Sequence, residues 1–143
     1  MEVSIYWSIK SKQYYQYLFY LYRLIWKPIK KLLFIDDEPS LLELAPLMFD
    51  EYEVLASNAA GSILNLIEKF NPDIILLDIF MRMGGGLDIC QTIKSHPKYA
   101  SIPVLLMTAG TIKEEFYQYG ADGIIEKPFD TPAVMMQISS LIE

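Results

Sequence analysis

Five polar residues in this chain stand where a buried strand should surface. Leu32-Leu33-Phe34-Ile35 runs into Asp36-Asp37, and Ile74-Ile75-Leu76-Leu77 runs into Asp78. Thr108 follows Val104-Leu105-Leu106-Met107, and Lys127 follows Gly123-Ile124-Ile125-Glu126. A short apolar run that stops at a polar residue reads as a strand buried on both faces, its last residue emerging at one sheet edge. In an open α/β sheet that carboxyl edge is where ligands sit. Three carboxylates gathered there repel one another unless a cation neutralises them, and a hard, oxygen-liganded divalent ion such as Mg²⁺ (or Mn²⁺) suits that task. A carboxylate nucleophile, a metal site, a hydroxyl and an ammonium are the parts needed for phosphoryl transfer to an aspartate.

The elements that must hold these residues alternate. Strands are expected near 32–35, 53–56, 73–77, 102–107 and 123–126, and helices near 39–49, 58–70, 86–95, 112–119 and 130–142. Strand–helix alternation of this kind builds a doubly wound α/β domain with five parallel strands and five helices. Asn58 is the expected cap of the second helix, Asn71-Pro72 its stop, and Asp130 the cap ahead of Pro132. Pro46 lies inside the first helix, where it removes a hydrogen bond, so a kink or a restart is expected there. No linker or second domain is expected after Glu143.

Composition divides the chain in two. Residues 1–31 hold six Lys or Arg against Glu2 alone, a balance of +5, so with −6 overall the other 112 residues carry −11. Such an acidic domain is a poor partner for nucleic acid. Cys90 is the single cysteine, which excludes a disulfide framework and suits a reducing, cytoplasmic compartment. No small-residue cleavage site follows an apolar stretch near the amino terminus, which speaks against a secretory signal.

Residues 1–29 form an aromatic, basic extension to a domain over 30–143; nine of the 19 aromatic residues fall before residue 31. From Lys12 to Lys27, the residues Lys12, Gln16, Tyr20, Arg23 and Lys27 share one narrow stripe at 100° per residue, and nearly everything else is apolar or aromatic. An additional aromatic helix is expected. Its uncharged stretch, residues 13–22, is too short to span a bilayer. It could pack on the domain or on a second copy, lie at a membrane interface or against a partner, or be an extension foreign to the natural product.

The segment Lys31-Leu32-Leu33-Phe34-Ile35-Asp36-Asp37-Glu38-Pro39 resembles the start of a response-regulator receiver domain. So do Pro72-Asp73-Ile74-Ile75-Leu76-Leu77-Asp78-Ile79-Phe80-Met81 with Gly86-Leu87, Thr108-Ala109, and Gly120-Ala121-Asp122-Gly123 followed by Lys127-Pro128-Phe129. Five motifs in order, over residues 30–143, make the resemblance specific. It implies a flavodoxin-like sheet of order 2-1-3-4-5, as in stand-alone, chemotaxis-regulator-like receivers. It also implies that Asp78 accepts a phosphoryl group from a sensor histidine kinase or histidine phosphotransfer protein. Asp36, Asp37, Asp78 and the Phe80 carbonyl would hold Mg²⁺, and Thr108 and Lys127 would bind phosphoryl oxygens. The small Ala109 would leave room for the phosphoryl group, and the Lys127-Pro128 bond would be cis. Such a protein is a phosphoacceptor rather than a turnover enzyme, and it signals to an effector protein or to a second copy of itself.

Single residues have plainer explanations: an Asp at a strand end is more often solvated than a ligand, and joint placement at four strand ends is what reverses the odds. His96 reads as a solvated surface residue, Cys90 as a small buried apolar one, and Gly84-Gly85-Gly86 as a flexible turn. Four departures from the family pattern bear on output. Phe80 is bulky where relatives are often polar or small, and Arg82 replaces a common proline and should face solvent. Ile124 replaces the ring that typically swings inward with Thr108, and the interval from Thr108 to Gly120 is about three residues short, close to one helical turn. The rival reading is a receiver-like docking or dimerisation module that works without phosphorylation. An aspartyl-phosphate phosphatase would want an acid where Phe80 stands, and a flavin protein would want a phosphate loop where Asp36-Asp37-Glu38 stand.

Overall fold

A computed structural model describes residues 13–21, 25, 28–59, 61–82 and 85–142. An N-terminal helix, α1, covers residues 13–21. Five parallel strands follow: β1 (Lys31–Ile35), β2 (Glu53–Ser57), β3 (Ile74–Asp78), β4 (Val104–Thr108) and β5 (Gly123–Glu126), in the order β2-β1-β3-β4-β5. Between them run α2 (Pro39–Met48), α3 (Ile63–Phe70), α4 (Gly86–Ser95) and a 3₁₀ helix (Glu114–Tyr119), and α5 (Thr131–Ile142) closes the fold. The expected sheet order and crossover pattern are present.

The strands obey the period of two, so each inner strand feeds two cores. Leu33, Ile35, Ile75, Leu77, Leu106 and Ile124 face α3, α4 and the 3₁₀ helix. Leu32, Phe34, Ile74, Leu76, Leu105 and Met107 face α2 and α5. All residues of β3 and β4 are buried, as are Leu32 to Ile35 of β1. Complete burial of an aliphatic side chain contributes roughly 1.5–3 kcal/mol. That gain over three adjacent strands makes their register firm enough to place side chains at the carboxyl edge.

Acids at the opposite, amino-terminal edge do different work. Asp73 Oδ2 accepts the Lys31 N–H at 2.8 Å, and Asp122 Oδ2 accepts the Val104 N–H at 2.8 Å while pairing with Lys94 at 2.6 Å. These carboxylates satisfy the first donors of β1 and β4, which the ladder leaves unmatched.

Local details depart from expectation in four places. Helix α3 starts at Ile63 rather than 58, because Ala59 and Gly61 take positive φ and the hydroxyl of Ser62 accepts the Asn65 N–H. Ser62, not Asn58, is therefore the cap, whereas Asn71 ends the helix in the left-handed conformation as expected. The segment expected as a helix over 112–119 is a six-residue 3₁₀ turn, anchored by buried Phe116 and closed by Gly120 at φ 88°. So short a segment cannot recover the cost of α-helix nucleation. Helix α2 passes through Pro46 without a break and ends two residues later, at Met48. At α5, Asp130 accepts the Ala133 N–H at 3.1 Å, in its expected capping place.

Gly86 is not part of a flexible turn: it is buried and opens α4. Gly84 lies outside the described residues. A Cβ built on Gly86 would sit 1.9 Å from the Asp78 carbonyl oxygen, so only glycine lets α4 start this close to the end of β3. Its N–H donates to the Ile79 carbonyl at 2.9 Å. Gly86→Ala should lower stability by about 1–3 kcal/mol through overpacking against fixed backbone, read as a lower urea midpoint with an unchanged slope.

Candidate functional site

Four strand ends deliver the site. Asp36 and Asp37 follow β1, Asp78 ends β3, Thr108 ends β4 and Lys127 follows β5. The ladder extends just far enough to lock these ends together: Ile79 N–H donates to Met107 O at 2.9 Å and Lys127 N–H to Thr108 O at 2.7 Å. Asp36 is 1% exposed, Asp78 4% and Thr108 0%, which makes them the buried polar residues among those described.

The Lys127 ammonium joins the two buried acids, donating to Asp36 Oδ2 at 2.5 Å and to Asp78 Oδ1 at 2.7 Å. The remaining Asp36 oxygen, Oδ1, accepts the Glu38 N–H at 2.9 Å. Asp37 stands at the rim. Its Oδ2 accepts the Arg82 N–H at 2.8 Å and lies 3.9 Å from the Arg82 Nε, while the Arg82 side chain is almost wholly in solvent. Asp37 thus ties the loop after β3 to the loop after β1, a positioning task that its place in the sequence does not announce.

Charge is unevenly compensated here. Burial raises the Asp78 pKa above the ordinary carboxylate range, and the bond from Lys127 only partly reverses this, with Asp36 and Asp37 adding repulsion. For Lys127, burial opposes the ammonium, but the bonds to Asp36 and Asp78 and their charges outweigh it and raise the pKa. One ammonium serves the two buried carboxylates, and Asp37 has only the solvent-exposed Arg82 guanidinium beside it. Asp36, Asp37 and Asp78 each offer an oxygen within 4.8 Å of the others. Oxygen-only donors with surplus negative charge fit a hard divalent cation such as Mg²⁺, which needs few protein ligands and keeps several waters.

The other expected residues fall around this centre. The Thr108 hydroxyl is turned onto its own loop, accepting the Gly110 N–H at 3.1 Å and lying 3.3 Å from Gly110 O. Ala109 lines a groove of about 430 Å³ with Glu38, Leu41, Met48, Lys127, Pro128 and Phe129. The Lys127-Pro128 bond is cis as expected. Phe80 is 63% exposed beside the site, and Ile124 is buried beneath it, opposite Leu106. Cys90 is buried as expected, its thiol pushed up to about 11 by burial. His96 departs from expectation: it is half-buried, stacked on Tyr99 at 4.6 Å, and its Nδ1 accepts the Lys98 N–H.

A carboxyl group whose pKa rises on folding binds more protons folded than unfolded between its two pKa values. It therefore lowers stability as pH climbs through that window, from the unfolded value up to the folded one, and the penalty is complete above it. Asp78→Asn should accordingly make the metal-free protein more stable than the parent at neutral pH. The gap should close as pH falls below the ordinary carboxylate range, as followed by thermal melts in chelator across pH.

Comparison with known proteins agrees with this geometry. The family model described as the response regulator receiver domain matches residues 32–139. The DNA-binding dual master transcriptional regulator RpaA of Synechocystis is 29% identical over 117 residues, covering 78% of this chain and 48% of RpaA. The chain spans about half the length of the first curated relatives it matches. A putative response regulator of Chloroflexus aurantiacus superposes with a TM-score of 0.74 at 25% identity, over 80% of this chain and 98% of that one. The chemotaxis protein CheY4 of Vibrio cholerae shares the fold, with a TM-score of 0.72 at 23% identity over 80% and 99% of the two chains. With the motifs, sheet order and acidic edge in agreement, the chain belongs to the response-regulator receiver domain family.

Proposed function

We propose that Asp78 accepts a phosphoryl group from a phosphohistidine of a sensor kinase or phosphotransfer protein, and that the phosphorylated domain signals through protein contacts. The observation that carries this reading is the Lys127 ammonium shared between buried Asp36 and Asp78, with Asp37 within reach. An oxygen of Asp78 attacks phosphorus, the phosphorus–nitrogen bond to the imidazole breaks, and the departing ring nitrogen regains a proton. A Mg²⁺ held by Asp36, Asp37, Asp78 and the Phe80 carbonyl would supply charge neutralisation for the transferring oxygens.

The chain's own residues supply the remainder. Lys127 already points at Asp78, so it needs only to exchange a carboxylate oxygen for a phosphoryl oxygen. Thr108 needs to release Gly110 and turn its hydroxyl to the new group. Ala109 adds no bulk to the wall of the adjoining groove. Residues held this way give positioning and electrostatic stabilisation, which are the principal sources of rate in phosphoryl transfer.

Ile124 favours a second reading, a docking or dimerisation module that works without phosphorylation. A buried aliphatic side chain has no ring to swing inward with Thr108, and the adjoining 3₁₀ turn is short. Incubation with a small acyl-phosphate donor distinguishes the two. The phosphoacceptor reading expects covalent labelling that requires Mg²⁺ or Mn²⁺, disappears with chelator, and is lost in Asp78→Ala. A folded parent protein that takes no label under these conditions supports the docking module.

Phe80 sets a further expectation. Its exposed ring stands two residues after the acceptor, and a bulky apolar side chain there would shield the acyl phosphate from water. Phe80→Asn should shorten the lifetime of the phosphorylated form severalfold, measured by loss of label after donor removal; an unchanged lifetime removes the shielding role.

A further inference from the structure

Among the described residues, the densest run of exposed apolar and aromatic side chains lies in α1. In α1 every residue from 13 to 20 is exposed. Tyr14, Tyr15, Tyr17, Phe19 and Tyr20 are each 61–70% exposed, helical Ile25 is 79% exposed and Ile29, in the non-helical stretch before β1, is 69% exposed. Five aromatic rings in seven residues, with none packed into the domain, leave a short helix with little to stabilise it in water. Such a surface calls for a covering.

We propose that α1 lies in the headgroup region of an anionic bilayer and tethers the receiver to the membrane surface. Four features of the chain point to lipid rather than to a second copy of the helix. First, in the sequence pattern at 100° per residue, Lys12, Gln16, Tyr20, Arg23 and Lys27 fall on one narrow stripe, which leaves an apolar face far wider than the two positions in seven that a paired helix would cover. Second, both tryptophans and six of the ten tyrosines precede residue 30, and rings with polar tips favour the bilayer–water interface. Third, residues 1–29 hold Lys10, Lys12, Arg23 and Lys27 against Glu2, a balance of +3, against −9 for the remainder. Anionic headgroups attract the charge that flanks α1, whereas a second copy of residues 1–29 repels it. Fourth, the uncharged run 13–22 is about 15 Å long as a helix, half the hydrocarbon thickness. Among the described residues no helix is long and apolar enough to cross a membrane. The helix therefore lies on the bilayer rather than through it.

Pro28, Ile29 and Lys30 connect the helix to β1 in non-helical backbone. The strand enters at the amino-terminal edge of the sheet, so the tether attaches away from the edge that carries Asp36, Asp78 and Lys127. A tethered receiver keeps that site open to a partner in solution.

The full chain contains its own reporter. Trp7 and Trp26 are the only tryptophans, so tryptophan emission follows this segment and not the receiver. Full-length protein is titrated with vesicles of equal parts phosphatidylglycerol and phosphatidylcholine, and with phosphatidylcholine alone. The expected result is a blue shift and co-sedimentation with the anionic vesicles, weakening as salt is raised. Reversing two charges in Arg23→Glu/Lys27→Glu should reduce binding by roughly tenfold or more. Removing two rings in Tyr17→Ser/Phe19→Ser should also abolish the shift, while the melting of the receiver stays unchanged. The proposal is overturned by a full chain that shows no shift with either vesicle. Binding that is equal on neutral vesicles and indifferent to salt also overturns it. So does a shift that grows with protein concentration alone and accompanies a dimer in solution, since α1 would then be covered by a second copy. None of these readings depends on phosphorylation of Asp78.

Discussion

Lys127 meets Asp36 and Asp78 across 91 and 49 residues of sequence, and the architecture of the domain is arranged around that meeting. Burying two carboxylates and an ammonium costs several kcal/mol per ion unless geometry returns it. Here the return is incomplete, because one ammonium is shared by two buried carboxylates with Asp37 close by, and the Asp78 pKa stays raised by burial. The residual repulsion makes this edge fit for a hard divalent ion. A fully satisfied ion pair at the same position would be inert.

Rigid surroundings maintain this imbalance. The central strands are buried on both faces, and the strand starts are fastened by Asp73 and Asp122. The domain thus uses aspartate in two ways. At the amino-terminal edge it satisfies backbone donors and lysines, and at the carboxyl edge it remains short of positive charge. Gly86 adds the closest constraint, since α4 begins against the Asp78 carbonyl and leaves no room for a side chain.

Two close contacts lie on the face of the sheet that carries α3, α4 and the 3₁₀ helix. Ile124 is packed into the core facing α3, α4 and the 3₁₀ helix. Gly120 lets the stem of Lys94 pass, where a Cβ would come within 2.9 Å of it. The aromatic α1 precedes β1, which enters the sheet at the opposite edge.

Much of this protein was legible in its sequence because the relevant signals are local. Apolar runs ending in Asp36, Asp78, Thr108 and Lys127 identify strands by period and polarity alone, and five ordered motifs identify the family. Element ends were less legible. Ser62 and Asn58 are both good caps, and only the positive φ of Ala59 and Gly61 decides between them. The segment before Gly120 has helical composition, yet the space available admits only a 3₁₀ turn. Tertiary structure alone decided that Lys127 bridges Asp36 and Asp78, that Asp37 holds the Arg82 backbone, that Thr108 turns toward Gly110, and that α1 stands clear of the core. Each of these is a contact, or a missing contact, between distant segments. Local sequence sets the type of an element, whereas packing in three dimensions determines which side chains finally meet.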